Sequence, residues 1–169
     1  MEFISSDTNV WIDFEVISRL GLPFRLPYTY IMYTESIDSE LLMPPGIKEK
    51  LTAAGLVGVD ITTQEFLIAD EWGKIYPRLS GPDRIALAIA KERKIVLLTG
   101  DMALRKAAEK EGVPVLGTIG IMDKLLEGKH ITLEEYITCI SDFLTHKGRE
   151  IRLPRAELEK RLKQTREQK

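Results

Sequence analysis

Short apolar runs rich in β-branched residues alternate with segments of helical period along most of this chain, and that alternation leaves few folds open. Phe3–Ser6, Tyr28–Tyr33, Leu56–Ile61, Lys94–Thr99 and Val113–Gly117 read as strands. Between them lie helical stretches: Asn9–Leu20, a short piece from Thr34 or Ser36 to Leu42, Ile47–Ala54, and one capped by Thr62 or Thr63 that runs to about Tyr76. Ser80-Gly81-Pro82 opens another helix with proline in its first turn, and Met102–Lys110 precedes the last strand. A helix between consecutive strands demands a crossover, so the expected fold is α/β, a mostly parallel sheet flanked by helices. Ile119–Leu126 follows the last strand. From Thr132 the pattern becomes wholly helical, at about 132–144 and 154–166, with a break at His146-Lys147-Gly148. The expected organisation is a body over residues 1–128 and a basic, helical extension over 129–169.

Four acids punctuate this pattern. Asp7 ends the run Phe3-Ile4-Ser5-Ser6, and Asp101 ends Ile95-Val96-Leu97-Leu98-Thr99-Gly100. In a parallel sheet the ligand crevice lies outside the carboxyl ends of the strands, so both aspartates are expected to open into one place. Asp83 lies in the first turn of a helix and Glu40 on a short helix. Each has an ordinary reading: Asp7 and Asp101 as helix N-caps, Asp83 as a partner of the helix dipole, Glu40 as an exposed helical glutamate. Taken together they suggest more. Carboxylates that crowd without a lysine or arginine repel, and a hard divalent cation relieves them, so Mg²⁺ or Mn²⁺ is the expected cofactor. A phosphatase working through an aspartyl phosphate would want Asp-x-Asp at the first strand. Here Asp7-Thr8-Asn9 puts an amide where the second carboxylate is needed.

Composition narrows the chemistry further. With two histidines in 169 residues, a mechanism built on paired histidine bases is disfavoured. One cysteine, Cys139, allows neither an internal disulfide nor a cysteine metal cluster, and it reads as a small buried residue. No apolar stretch approaches the ~20 residues of a membrane span, and the start of the chain carries no signal pattern. A cytoplasmic protein without membrane attachment is expected. The net charge of −2 conceals an asymmetry: nine basic and four acidic residues lie between Lys147 and Lys169. That tail is about +5 and the remainder −7, which suits a polyanion held by one part and processed by the other. The plainer reading is a solvated helix with Glu157–Arg161 and Glu159–Lys163 at i,i+4.

The stretches Ile4-Ser5-Ser6-Asp7-Thr8-Asn9-Val10-Trp11-Ile12-Asp13, Ser39-Glu40-Leu41-Leu42, Asp83–Ala90, Ile95–Arg105 and Gly112–Thr118 occur in an order and at spacings that resemble the PIN-domain family of metal-dependent ribonucleases. The resemblance covers roughly residues 3–127. It implies a three-layer PIN-like fold in which Asp7, Glu40, Asp83 and Asp101 hold one or two Mg²⁺ or Mn²⁺ ions, with Asn9 and Thr99 supporting them by hydrogen bonds. Glu35 and Asp38 rival Glu40 as the second acid. Where relatives often carry a further acid a turn after the fourth, this chain has Leu104, Arg105 and Lys106. The implied activity is hydrolytic cleavage of RNA; the alternative is a PIN-like module that binds RNA or protein without cutting. Many relatives are VapC-like toxins neutralised by a small antitoxin, and relatives commonly form homodimers, so both partners are expectations here. Arg149, Arg152 and Arg155 in the extension are candidates for holding RNA.

Remaining features have ordinary expectations. Trp11 and Trp72 read as core rather than as base-stacking platforms. Asp13 and Asp123 are expected to face solvent. Gly117-Thr118-Ile119-Gly120 lacks the lysine and glycine spacing of a phosphate loop and reads as a tight strand-to-helix turn.

Overall fold

The computed structural model describes residues 2–148 and 150–168. In chain order the elements are β1 (Glu2–Ser6), α1 (Thr8–Val16), a 3₁₀ turn (Leu22–Arg25), β2 (Tyr28–Tyr33), α2 (Thr34–Glu40), α3 (Ile47–Ala54), β3 (Val57–Val59) and α4 (Thr63–Ile75). They continue as α5 (Gly81–Arg93), β4 (Val96–Leu98), α6 (Met102–Lys110), β5 (Val115–Leu116), α7 (Thr118–Glu127), α8 (Leu133–Thr145) and α9 (Arg155–Arg166). The five strands form one sheet in the order β3-β2-β1-β4-β5, and every pairing is parallel. Ile4 sits between Tyr30 on one side and Val96 on the other. The chain runs outward from β1 through β2 to β3, then returns to the far side of β1 to place β4 and β5. The direction of winding therefore switches between β1 and β4, where ligand crevices of such sheets form.

Strand alternation separates two cores. Ile4, Tyr30, Met32 and Leu98 face one side, where they meet α1, α7 and α8 through Val10, Trp11, Phe14, Ile121, Met122, Tyr136 and Ile140. Leu97 faces the other, where Leu87 and Ala90 of α5, Ala69 and Trp72 of α4, and Leu104 and Ala107 of α6 close over it. Trp11 stacks on Phe24 at 5.3 Å and meets Tyr30 edge-on at 5.1 Å, so this tryptophan is core as expected. On β1, Ser5 turns toward α5 and donates its hydroxyl to the Ala86 carbonyl at 2.8 Å, fixing that helix over the strand.

The expected helix over residues 9–20 ends at Val16, because Ser18 takes a left-handed conformation (φ 57°) and Pro23 starts the 3₁₀ turn that carries Phe24 under Trp11. Asp13 is buried, contrary to the solvent-facing expectation. It lies three residues after Val10, on the edge of the α1 face that α7 covers, and accepts a 2.6 Å hydrogen bond from the Thr118 hydroxyl. Asp123 is likewise engaged, accepting from the Tyr136 hydroxyl at 2.7 Å and from Arg161 at 3.0 Å. Those two bonds tie α7 to α8 and α9. Leu158 and Thr165 of α9 are buried, and Leu158 joins the same core as Phe14 and Phe143. Among the described residues no helix is long and apolar enough to cross a membrane.

Leu158→Ala tests how α9 is joined to the body. With the side chain only 2% exposed, truncation is expected to lower unfolding stability by roughly 2–4 kcal/mol in a single urea transition. An unchanged midpoint would show that α9 melts separately from the sheet.

Candidate functional site

Asp7 follows β1 immediately and caps α1, accepting from the Thr8 amide at 2.8 Å. Its own amide donates to the Leu98 carbonyl at 2.9 Å, so it bridges the ends of β1 and β4 at the switch point. The Thr99 hydroxyl, fully buried, donates to Asp7 Oδ2 at 2.9 Å and accepts from the Asp101 amide at 3.1 Å. One threonine thus orients the first aspartate and the turn that carries the last.

Glu40 approaches from the end of α2. The Thr8 hydroxyl donates to its Oε2 at 2.5 Å. Of the three acids competing for this position, Glu40 is the one that reaches the switch point. Asp38 pairs with Lys48 at the surface, and Glu35 lies beside Tyr33. Asp83 arrives on the first turn of α5 in a reciprocal capping box: its amide donates to Ser80 Oγ at 3.2 Å, and its Oδ2 accepts from the Ser80 amide at 3.0 Å. Asp101 caps α6, accepting from the Leu104 amide at 2.8 Å. Asn9 is exposed on the rim of a neighbouring cleft beside Asp101 and makes no hydrogen bond to the acids among the described residues. Thr8 holds Glu40 instead, a role the Asp-Thr-Asn opening contained and sequence reasoning passed over. Arg152 lines the same cleft, Arg155 pairs with Glu159 at 2.8 Å on the exposed face of α9, and Arg149 lies outside the described residues.

The electrostatics bind three of these acids into one unit. Burial pushes the Asp7 carboxyl from an ordinary 3.8 to about 7, with Asp83 and, more weakly, Glu40 adding to the rise and Thr99 opposing it. Glu40 is also raised, by burial first and by Asp83 as well, against the Thr8 hydrogen bond. No lysine or arginine pairs with Asp7, Glu40, Asp83 or Asp101 among the described residues. Asp7 and Glu40 share a notch of about 10 Å³ with Ser36 and Pro82, close to the size of one water.

Three or more such side chains do not converge tightly enough to hold an ion directly among the described residues. A ready-made cage of four carboxylates is therefore absent. Each acid instead turns an oxygen to a local donor: Asp7 to Thr99, Glu40 to Thr8, Asp83 to the Ser80 amide and Asp101 to the Leu104 amide. The donor set is nonetheless that of a hard divalent ion: carboxylate and hydroxyl oxygens only, anionic, partly buried and lacking a counter-charge.

Stability should report this frustration. Asp7 is easier to protonate when folded than when unfolded, so the folded state carries the extra proton between about pH 4 and 7. Stability contributed by that proton is present at low pH, falls as pH rises through the window, and is gone above it. In EDTA, Asp7→Asn is expected to melt higher than wild type at pH 8, with the difference shrinking as pH falls and closing only below about pH 4. A three-unit shift corresponds to roughly 4 kcal/mol as the most the substitution can return. A melting difference that does not vary with pH would remove Asp7 from this account.

The sequence that builds this sheet and its crevice has a counterpart among known families. A family model described as a PIN domain (DUF3368) matches residues 3–167, from β1 to the end of α9. No curated protein and no solved structure matches the chain. PIN domains are generally nucleases and typically use divalent metals, which agrees with an uncompensated group of carboxylates at the crevice. The chain belongs to the PIN-domain family.

Proposed function

We propose that this protein is an endoribonuclease that hydrolyses RNA phosphodiester bonds with a Mg²⁺ or Mn²⁺ ion held by Asp7, Glu40, Asp83 and Asp101. The observation that carries this reading is Asp7: a carboxylate at the switch point raised first by burial and then by Asp83 and Glu40, with no lysine or arginine paired to it among the described residues. Such a group is costly to keep in a fold unless it is completed in use. When bound, the ion would supply a water of lowered pKa and offset charge on the phosphate and leaving oxygen.

The chain's own residues set up that chemistry. Thr99 fixes the rotamer of Asp7, and Thr8 fixes Glu40, so the acids at the β1 end are aimed by hydroxyls rather than by charges. Asp83 lies in the first turn of α5 and Asp101 caps α6, so both carboxylates stand at helix N-termini. The short Ser36 and the notch between Asp7 and Glu40 leave space at the crevice for an oxygen ligand of water size.

The test is cleavage of a mixed single- and double-stranded RNA pool by purified protein with Mn²⁺, Mg²⁺ or EDTA. Cutting is expected only with metal, and Asp7→Asn or Asp101→Asn should each lower it by at least about 10²-fold. Mn²⁺ should raise the melting temperature of the wild type and leave that of Asp7→Asn nearly unchanged. Metal-stabilised protein that binds but does not cut RNA would favour the non-cleaving module; cutting that survives both substitutions would overturn the site. Thr99→Val keeps all four acids and is expected to reduce activity about 10–100-fold, with more Mn²⁺ needed for half-maximal rate, because the first ligand loses its orientation.

A further inference from the structure

Beside the acids lies a second concavity that their chemistry does not use. It is a cleft of about 840 Å³ that begins at Asp101 and Asn9 and runs between α6, the β5–α7 turn and the segment leading into α9. That volume is on the scale of a small ligand or a few nucleotides of one strand.

Its charges are unevenly settled. Arg161, at the far end, is bound to Asp123 at 3.0 Å and to Glu157. Glu150 is engaged by His146 at 2.8 Å, and Asp13 by the Thr118 hydroxyl. Two guanidinium groups remain. Neither Arg105 nor Arg152 has an ion pair or hydrogen bond to a side chain among the described residues, although both line the cleft. Arg105 stands one turn after Asp101, its amide donating to the Asp101 carbonyl at 2.9 Å, so the two side chains emerge in sequence along the crevice. Its guanidinium lies across Gly117, where a β-carbon would collide with Nη2. The backbone there is extended (φ −116°, ψ −178°), a conformation open to any residue, so a side chain at this position would be met by a shift of the guanidinium rather than by strain in the turn. Arg152 faces it from the chain segment before α9.

Planar guanidinium forks left unpaired in a concave wall match phosphate oxygens in geometry as well as in sign. Among the described residues that line it there is no aromatic ring to stack the strand's bases, and contact with the backbone alone carries no sequence information. We propose that this cleft is the channel for single-stranded RNA next to the cleavage site, with Arg105 and Arg152 holding successive phosphates of the strand that passes Asp101. This assignment rests on the ribonuclease reading and gives its substrate a strandedness and a path.

The experiment is fluorescence anisotropy with a labelled oligouridylate of about twelve nucleotides, in Mg²⁺, using Asp7→Asn protein so that the probe stays intact. Binding is measured across a salt series. For a single strand, each phosphate contact contributes about 0.7 to the slope of log affinity against log salt, so Arg105→Gln with Arg152→Gln should lower that slope by about 1.4. A mixed-sequence probe should lose affinity by the same factor. Gly117→Ala, which displaces Arg105 without removing it, should lower the slope by about 0.7 with an unchanged melting curve. An unchanged slope in the double variant, or no binding at low salt before any arginine is altered, overturns the channel even if wild type cuts RNA. A slope that falls in a protein that cuts no RNA with Mn²⁺ keeps the channel and removes the nuclease reading.

Discussion

The hydrogen bond from Thr99 to Asp7 is where the two halves of this fold are joined. β1 and β4 are adjacent in the sheet but separated by most of the domain in sequence, and Asp7 spans their ends through its own amide and through Thr99. The bond places a carboxylate in a position where burial and two neighbouring acids raise it far above its usual range. A sheet wound in one direction would not create this spot. It exists because the chain reverses its winding between β1 and β4, which leaves the ends of both strands uncovered by a crossover helix. Much of what surrounds it serves to hold that unfavourable charge in place: Ser5 fastens α5 to β1, Ser80 positions Asp83, and Thr8 restrains Glu40.

The two faces of the sheet do different work around this point. The side closed by α4, α5 and α6 is packed with alanine and leucine, which lets α5 approach β1 closely enough for Asp83 to act on Asp7. The opposite side is aromatic and larger, and it carries α8 and α9. Those helices bring the segment before α9 alongside the β5–α7 turn, and the cleft beyond Asp101 is bounded by that approach. The ordinary apolar packing of Leu158 and the Asp123–Arg161 pair therefore shape the cleft without any of these three residues pairing with the four acids among the described residues.

Much of this could be read along the chain. Ser80-Gly81-Pro82-Asp83 announces a capped helix start, and Tyr28–Tyr33 announces a strand, because caps and alternation are properties of neighbours a few residues apart. The buried position of Asp13 could not be read in the same way. Its place on α1 lies on the border of the apolar face, and only the arrival of α7 with Thr118 decides that it is covered. Glu35, Asp38 and Glu40 are similarly indistinguishable by local criteria, since all three belong to one short acidic helix. Only the fold separates them: Asp38 pairs with Lys48 at the surface, and Glu40 accepts from Thr8 beside Asp7.

The sequence by itself determined the elements, their parallel crossover arrangement and the four acids that the family resemblance singles out. Each of these depends on short-range periodicity, capping or residue type. Tertiary structure alone decided which carboxylates share an electric field, that Thr8 rather than Asn9 restrains the second acid, and that Arg105 lies across Gly117 beside an open cleft. Those outcomes depend on distances between segments up to about a hundred residues apart. They are set by how two cores close over a twisted sheet, and no window along the chain contains both partners.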